Sequence, residues 1–269
     1  MTDRPPAVTL DSRGTIDRLY VLDGGEAQVQ DISQWSPGVD VGQPRTFSNN
    51  VYLLQHGDQW MVWDTGIDER LIDTPGGEII AHDVRGVVSR TLTAQLRELD
   101  IDPREVALIA FSHAHFDHVG NCRLFPTATW YVQRPEYEAM FGPDHTKYGF
   151  IPSLYASMPN NPIEIVDGDH DLFGDRSVQI ISTPGHTPGH QSLLVQLPET
   201  GPVVLSGDVA HFKENFRYRR VPSFNADHAQ TLQSMNRIDA LLQAEGAVLW
   251  INHDAGQSAT IPHAPDAVR

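Results

Sequence analysis

Residues 106–111, VALIAF, form a continuous apolar run, and Ser112 separates it from His113-Ala114-His115-Phe116-Asp117-His118. An unbroken run of this kind predicts a strand buried on both faces. Four ligand-type side chains therefore sit where a buried strand gives way to a loop. In extended chain, residues two apart point the same way. His113 and His115 can converge on one cation, Asp117 continues their row, and His118 is offset by one and leans elsewhere. Four donors split between two directions suit two neighbouring ions better than one. Imidazole and carboxylate are donors that Zn²⁺ accepts and that Fe, Mn or Co ions also take. A helix over the same residues would point His113 and His115 apart.

One cluster does not close two sites, so further donors must come from distant segments. Three candidates are alike in position. His186 lies in TPGHTPGH (183–190), just after a strand expected at 178–182. Asp208 follows the strand expected at 203–206 through Ser206-Gly207, and His253 follows the strand expected at 247–251. Each is a ligand-type residue at the end of a buried strand, where a rigid scaffold presents chemistry on its loops.

The rest of the chain sets the frame. With Lys+Arg at 19 and Asp+Glu at 35, the net charge of −16 counts against nucleic acid or an anionic membrane as partner. Cys122 is the single cysteine, which excludes an intrachain disulfide. No run approaches the ~20 apolar residues of a membrane span, and the N-terminus lacks the apolar core of a secretory signal. A cytoplasmic protein is the expectation, as a monomer or a homodimer. Residues 1–16 read as a loose polar arm and 17–269 as one domain. Strands are expected at 17–22 (stopped by Asp23-Gly24-Gly25), 51–55, 60–64, 128–132, 163–166 and 192–197. Helices are expected from a Ser89 cap to Leu99, over 134–140 and over 227–243, where apolar residues recur at helical spacing. Strands followed by a helix, twice over, predict two αβ halves packed with their helices outside. Residues 141–162, rich in Pro, Gly and aromatics, read either as a functional segment over the site or as an insertion packed by its own aromatics.

Asp64-Thr65-Gly66, the H-x-H-x-D-H cluster at 113–118, Gly185-His186, Gly207-Asp208 and His253-Asp254 together resemble the metallo-β-lactamase superfamily. That resemblance implies an α+β fold, a four-layer αβ/βα sandwich with a binuclear site along one edge. It implies that His113, His115 and His186 hold one ion, that Asp117, His118 and His253 hold the other, and that Asp208 bridges both. Leu19 to Gly25, Asp31-Ile32-Ser33, Ser36-Pro37-Gly38, Ser48-Asn49-Asn50 and the segment after Asp208 narrow the resemblance to N-acyl-homoserine lactonases. Several lactonases carry a tyrosine three residues after the bridging aspartate; here that residue is His211, which can donate the same hydrogen bond with a different reach and charge.

The implied reaction is ring-opening of a lactone on a small substrate with an acyl chain, by attack of a metal-bridging hydroxide. His211 then donates to the developing oxyanion, and Asp117 carries the proton to the leaving alkoxide. Two divalent ions are required, with Zn²⁺ expected. Trp35, Phe47, Phe150 and Tyr155 are the candidate apolar wall for the acyl chain. His190 reads as a structural histidine and Cys122 as a small buried thiol. The run Arg217, Arg219, Arg220 reads as a solvated basic face or an interface, with a clamp for a substrate anion as the alternative. His56, His82, His145, His170, His228 and His263 read as incidental.

Rival hydrolases on the same site would act on thioesters, other esters, β-lactams or phosphotriesters. The short stretch after His253 and the carboxylate Asp208 argue against the thioesterase and the β-lactam enzyme respectively. A metal-bearing binding module is the non-enzymatic rival. Structural zinc sites are closed and usually cysteine-rich, whereas this donor set has no thiol in it.

Overall fold

The computed structural model describes residues 13–81 and 83–269. Of the arm expected over 1–16, residues 1–12 lie outside the described residues, as does His82. The remainder is not loose: the Gly14 amide donates to the Asp175 carbonyl at 2.8 Å and Ile16 is buried.

Two sheets form the centre. The first contains β1 (Arg18–Val29), β2 (Arg45–His56), β3 (Gln59–Trp63), β4 (Glu78–Ala81), β5 (Val84–Val87), β6 (Val106–Ala110), β7 (Thr129–Gln133) and β8 (Ile163–Val166). Their spatial order is β4-β5-β1-β2-β3-β6-β7-β8. The second contains β9 (His170–Asp171), β10 (Val178–Ser182), β11 (Gln191–Leu197), β12 (Gly201–Leu205) and β13 (Val248–Trp250), in the order β13-β12-β11-β10-β9. The helices are α1 (Leu92–Glu98), α2 (Phe116–Val119), α3 (Arg134–Phe141), α4 (Pro152–Tyr155), α5 (Lys213–Tyr218), α6 (His228–Glu245) and α7 (Ala255–Ser258).

Side-chain alternation along the strands explains the layering. Tyr52, Leu54, Met61 and Trp63 of the first sheet meet Val178, Ile180, Leu193, Val195, Val203 and Leu205 of the second in one apolar cluster. The alternate residues Leu53, Val62 and Ile109 pack outward against Leu92 and Leu96 of α1 and Met140 of α3. On the far side, Ile181, Leu194 and Val204 pack against Met235 and Ile238 of α6. The order of layers is helix, sheet, sheet, helix, as the αβ/βα expectation required. Among the described residues no helix is long and apolar enough to cross a membrane.

Several boundaries differ from expectation. β1 does not stop at Asp23-Gly24-Gly25; it continues to Val29 past an irregularity between Asp23 and Glu26. Gly25 makes this possible, with φ +95 and the Val87 carbonyl where a Cβ would sit 2.8 Å away. Thr91, not Ser89, caps α1, accepting from the Ala94 amide at 3.1 Å. The hairpin β4–β5 has no counterpart in the sequence reading. β13 is an edge strand and Val248 is 52% exposed, so it is not the buried strand its apolar sequence predicted. Residues 141–162 fold into short helical turns, and Phe150, Tyr155 and Met158 enter the core.

Strand direction fixes where chemistry can gather. β3 runs parallel to β6, and β12 parallel to β13. β10 and β12 both run antiparallel to β11, so they share a direction. The C-terminal ends of these strands carry Asp64, residues 112–118, residues 183–190, Asp208 and His253. The amide of Gln191 donates to the Ser112 carbonyl at 2.9 Å, which ties the two sheets together at that end.

Candidate metal centre

The seven sequence-predicted donors converge in two groups. Nitrogen and oxygen atoms of His113, His115, His186 and Asp208 lie within 4.8 Å of one another, and so do those of Asp117, His118 and His253. The Asp208 carboxylate stands between them. Its Oδ1 lies 3.4 Å from His118 Nε2 and 3.0 Å from His253 Nε2. Its Oδ2 lies 3.7 Å from His113 Nε2 and 3.3 Å from His186 Nε2. Asp117 belongs to the second group, with its oxygens 3.8 Å from His118 Nε2 and from His253 Nε2. His211 joins at the margin: its Nε2 is 3.1 Å from Asp208 Oδ2 and its ring stacks on His253.

The far side of five of these imidazoles, all but His211, is anchored by an acceptor. His118 Nδ1 donates to Asp64 Oδ2 at 2.9 Å, His253 Nδ1 to the Ser48 carbonyl at 2.8 Å, and His115 Nε2 to the Tyr148 carbonyl at 2.7 Å. His186 Nδ1 meets Asn225 Oδ1 at 2.9 Å. His113 Nδ1 meets Ser112 Oγ at 3.0 Å, and that hydroxyl donates onward to Asp64. For His113, His115 and His186 the anchor favours the proton on the outer nitrogen and turns the lone pair of the other inward. The inner nitrogens crowd together: His115 Nδ1 is 2.8 Å from His113 Nε2 and 3.1 Å from His186 Nε2. His118 Nε2, Asp208 Oδ1 and His211 Nδ1 are buried without a hydrogen-bond partner. Lone pairs packed at this distance repel unless a cation lies among them, so the donor set fits divalent metal ions.

The electrostatics follow from burial. Desolvation pushes the pKa of His113 and His186 well below the usual imidazole range, and His115 down to about 4, so these rings are neutral near pH 7. Burial also lowers His211. Burial opposes charge on His118 too, but Asp64, Asp208 and Asp117 outweigh it and hold that pKa well above the usual range. Burial would raise Asp208, yet His253, His211, His118 and His113 keep it well below the ordinary carboxylate value.

Buried residues around the cluster support it. Asp64 adopts φ +56, which aims its carboxylate at the Ser112 amide (2.6 Å) and His118. His190 is structural, as expected: its Nδ1 faces the Thr183 carbonyl and its Nε2 accepts the Asp208 amide at 2.7 Å. Glu136 of α3 is buried and accepts from the Ala114 amide, the Thr187 hydroxyl and the Gly189 amide. Burial pushes its pKa up to about 7 against those bonds. Cys122 is buried beside Thr65, with its thiol pushed up to about 12 by burial.

A cavity opens onto the cluster. Its wall combines His115, Asp117, His186, Asp208, His211 and His253 with Ala27, Trp35, Phe47, Ala81, Val84, Phe116, Gly149 and Phe224. Trp35 packs edge-on against Phe47 and Phe224, both at 5.3 Å between ring centroids. Two of the four expected wall aromatics are elsewhere. Tyr155 is a core residue whose hydroxyl donates to the Met140 carbonyl at 2.9 Å. Phe150 is buried in the same core, with its ring centroid 5.8 Å from that of His115. Both are buried in the cluster that also holds Met140 and Met158, where leaving the rings exposed would forgo apolar burial. Phe116 and Phe224 take their places in the wall. Of the arginine run, Arg217 and Arg220 stack on exposed Tyr218 and Arg219 pairs with Asp239.

Residues 44–250 match the family model of the Metallo-beta-lactamase superfamily. The chain is 32% identical over 259 residues to N-acyl homoserine lactonase AttM of Azorhizobium caulinodans, covering 92% of this chain and 97% of that one. It is 34% identical over 266 residues to N-acyl homoserine lactonase AttM of Agrobacterium fabrum, covering 93% and 97%. Among solved structures it superposes on an N-acyl homoserine lactone hydrolase with the product N-hexanoyl-L-homoserine bound at the catalytic metal center. The TM-score is 0.83 and the identity 26%, over 95% of this chain and 100% of that one.

Proposed function

The chain belongs to the metallo-beta-lactamase superfamily, and from that premise we propose that it hydrolyses the lactone ring of N-acyl homoserine lactones. The observation that carries this reading is the position of Asp208, one oxygen toward each donor group, at the floor of a cavity walled by Trp35, Phe47, Phe116 and Phe224. Support also comes from curated lactonase relatives matched over nearly their whole length.

In this reading His113, His115 and His186 hold one divalent ion, Asp117, His118 and His253 hold the second, and Asp208 serves both. The ions are assigned as Zn²⁺ from the imidazole and carboxylate donors. When bound, two such ions supply Lewis acidity and a water whose pKa falls toward ~7. The chain's own residues do the rest. The apolar wall takes the acyl chain and keeps water off it. His211 lines the cavity beside Asp208 and, held neutral by burial, has one N–H to give; we assign it to the lactone carbonyl oxygen. Asp117 lies at the cavity and takes the proton of the attacking water to the ring oxygen. The balance is simple. The water oxygen bonds the carbonyl carbon, the ring C–O bond breaks, its oxygen gains a proton, and the new acid ionises.

That last ionisation gives the test. Ring-opening of a homoserine lactone series should release protons, stop on treatment with a chelator and resume with Zn²⁺. Turnover of a β-lactam, thioester or phosphotriester with no turnover of any lactone would reject the assignment.

A further inference from the structure

Glu136 is not a donor to either ion group, yet it touches the chain at three points beside one of them. Its Oε1 accepts the amide of Ala114, the residue between His113 and His115, at 2.9 Å. Its Oε2 accepts the hydroxyl of Thr187, next to His186, at 2.8 Å and the amide of Gly189 at 2.9 Å. Gly189 packs so closely that a Cβ there would lie 2.3 Å from the Glu136 nitrogen. One buried carboxylate on the first turn of α3 thus ties the 113–115 segment of the first sheet to the 186–189 segment of the second. The other group has further supports of its own, and only the Ser112 hydroxyl, 3.0 Å from both His113 Nδ1 and His118 Nδ1, is common to the two sets named here. His118 leans on Asp64, its carbonyl accepts from the Thr65 amide and hydroxyl, and His253 leans on the Ser48 carbonyl.

We propose that Glu136 is a positioning residue for one metal position only, the one framed by His113, His115 and His186, and that the Asp117–His118–His253 position is independent of it. The inference rests on the two-ion reading given above. Its physical basis is that all three Glu136 bonds go to the segments carrying His113, His115 and His186. All three groups that Glu136 meets are donors, so only a side chain with acceptors on both arms satisfies them. An amide in its place turns an NH₂ toward at least one buried N–H or O–H, and the segments move apart. A shift of a few tenths of an ångström in either segment spoils convergence of the three imidazoles and leaves the other group in place.

The test is zinc competition against a chromophoric chelator with the parent protein and Glu136→Gln. The parent should take up two ions, and E136Q should hold one at parental affinity and the other about 10–100-fold more weakly, the range for lost outer-shell partners. Crystals of E136Q grown at limiting zinc identify the ion, with the anomalous peak missing beside His113, His115 and His186. Thr187→Val removes one of the three bonds at constant shape and should weaken the same ion by a smaller factor; it stands in if E136Q does not fold. Equal weakening of both ions, or weakening of the ion beside His118, would overturn the proposal, as would parental affinity for both. A parent that binds no metal would instead sink the two-ion reading itself.

Discussion

Replacing Asp64 with asparagine separates the charge that orients His118 from the backbone that carries it. Asp64 sits at φ +56, a left-handed conformation that Asn tolerates better than most residues. The fold should therefore survive. The side chain now has one acceptor where there were two. If the amide oxygen keeps the Ser112 amide, the NH₂ faces His118 Nδ1 and Ser112 Oγ, which stood 2.9 and 3.1 Å from the carboxylate. His118 then favours the tautomer with its proton on Nε2, the nitrogen that points at Asp208. Losing a hydrogen bond to a charged group costs about 1.5–3 kcal/mol. That corresponds to roughly 10–100-fold in metal affinity, the range for outer-shell partners of ligating histidines. The loss should be largest for the ion beside Asp117, His118 and His253. Chelator competition on D64N measures it directly, with circular dichroism confirming the fold. Parental affinity for both ions would refute the reasoning that Asp64 sets the His118 tautomer.

Other perturbations probe other parts. Asp208→Ala removes the shared carboxylate and should lower metal content and activity together, read by elemental analysis and proton release; retention of both ions would contradict the bridging role. Trp35→Ala opens the cavity wall and should raise KM for long-chain lactones about tenfold more than for short-chain ones, since one lost apolar contact is worth ~1–3 kcal/mol; an unchanged chain-length preference would remove Trp35 from the acyl site. Far from the centre, Asp175 is held at about 2: burial would raise it, but Ser177 and His56 stabilise its charge. A depressed carboxylate stabilises the fold above its unfolded pKa of ~3.9, and that stabilisation is lost as pH falls through the folded value. The Tm gap between the parent and Asp175→Asn should thus be full above about pH 4 and close toward pH 2; a gap constant with pH would contradict it.

The donors were legible because each follows an apolar strand, even where that strand proved to be an edge, as β13 is before His253, and because spacing of two in extended chain sets direction. The outer supports were not. Glu136 reads as an ordinary first-turn acid of an amphipathic helix, and nothing local shows that three donors from two other segments meet it. Asp64 was visible only as part of a motif, since its role depends on a positive φ that no neighbour announces. Tyr155 and Phe150 looked like wall residues because a Pro- and Gly-rich stretch does not reveal which aromatics face inward. The core claimed both, and Phe116 and Phe224 filled the wall. Strand limits shifted where tertiary pairing overrode local signals: β1 runs through Gly24-Gly25 because β5 pairs with its far half.

The most direct measurement is metal content set against turnover in the same preparations. Protein dialysed against chelator and then titrated with Zn²⁺ should regain homoserine-lactone ring-opening, reaching full rate at about two ions per chain. Full proton release by protein from which elemental analysis finds the metal removed would contradict the account.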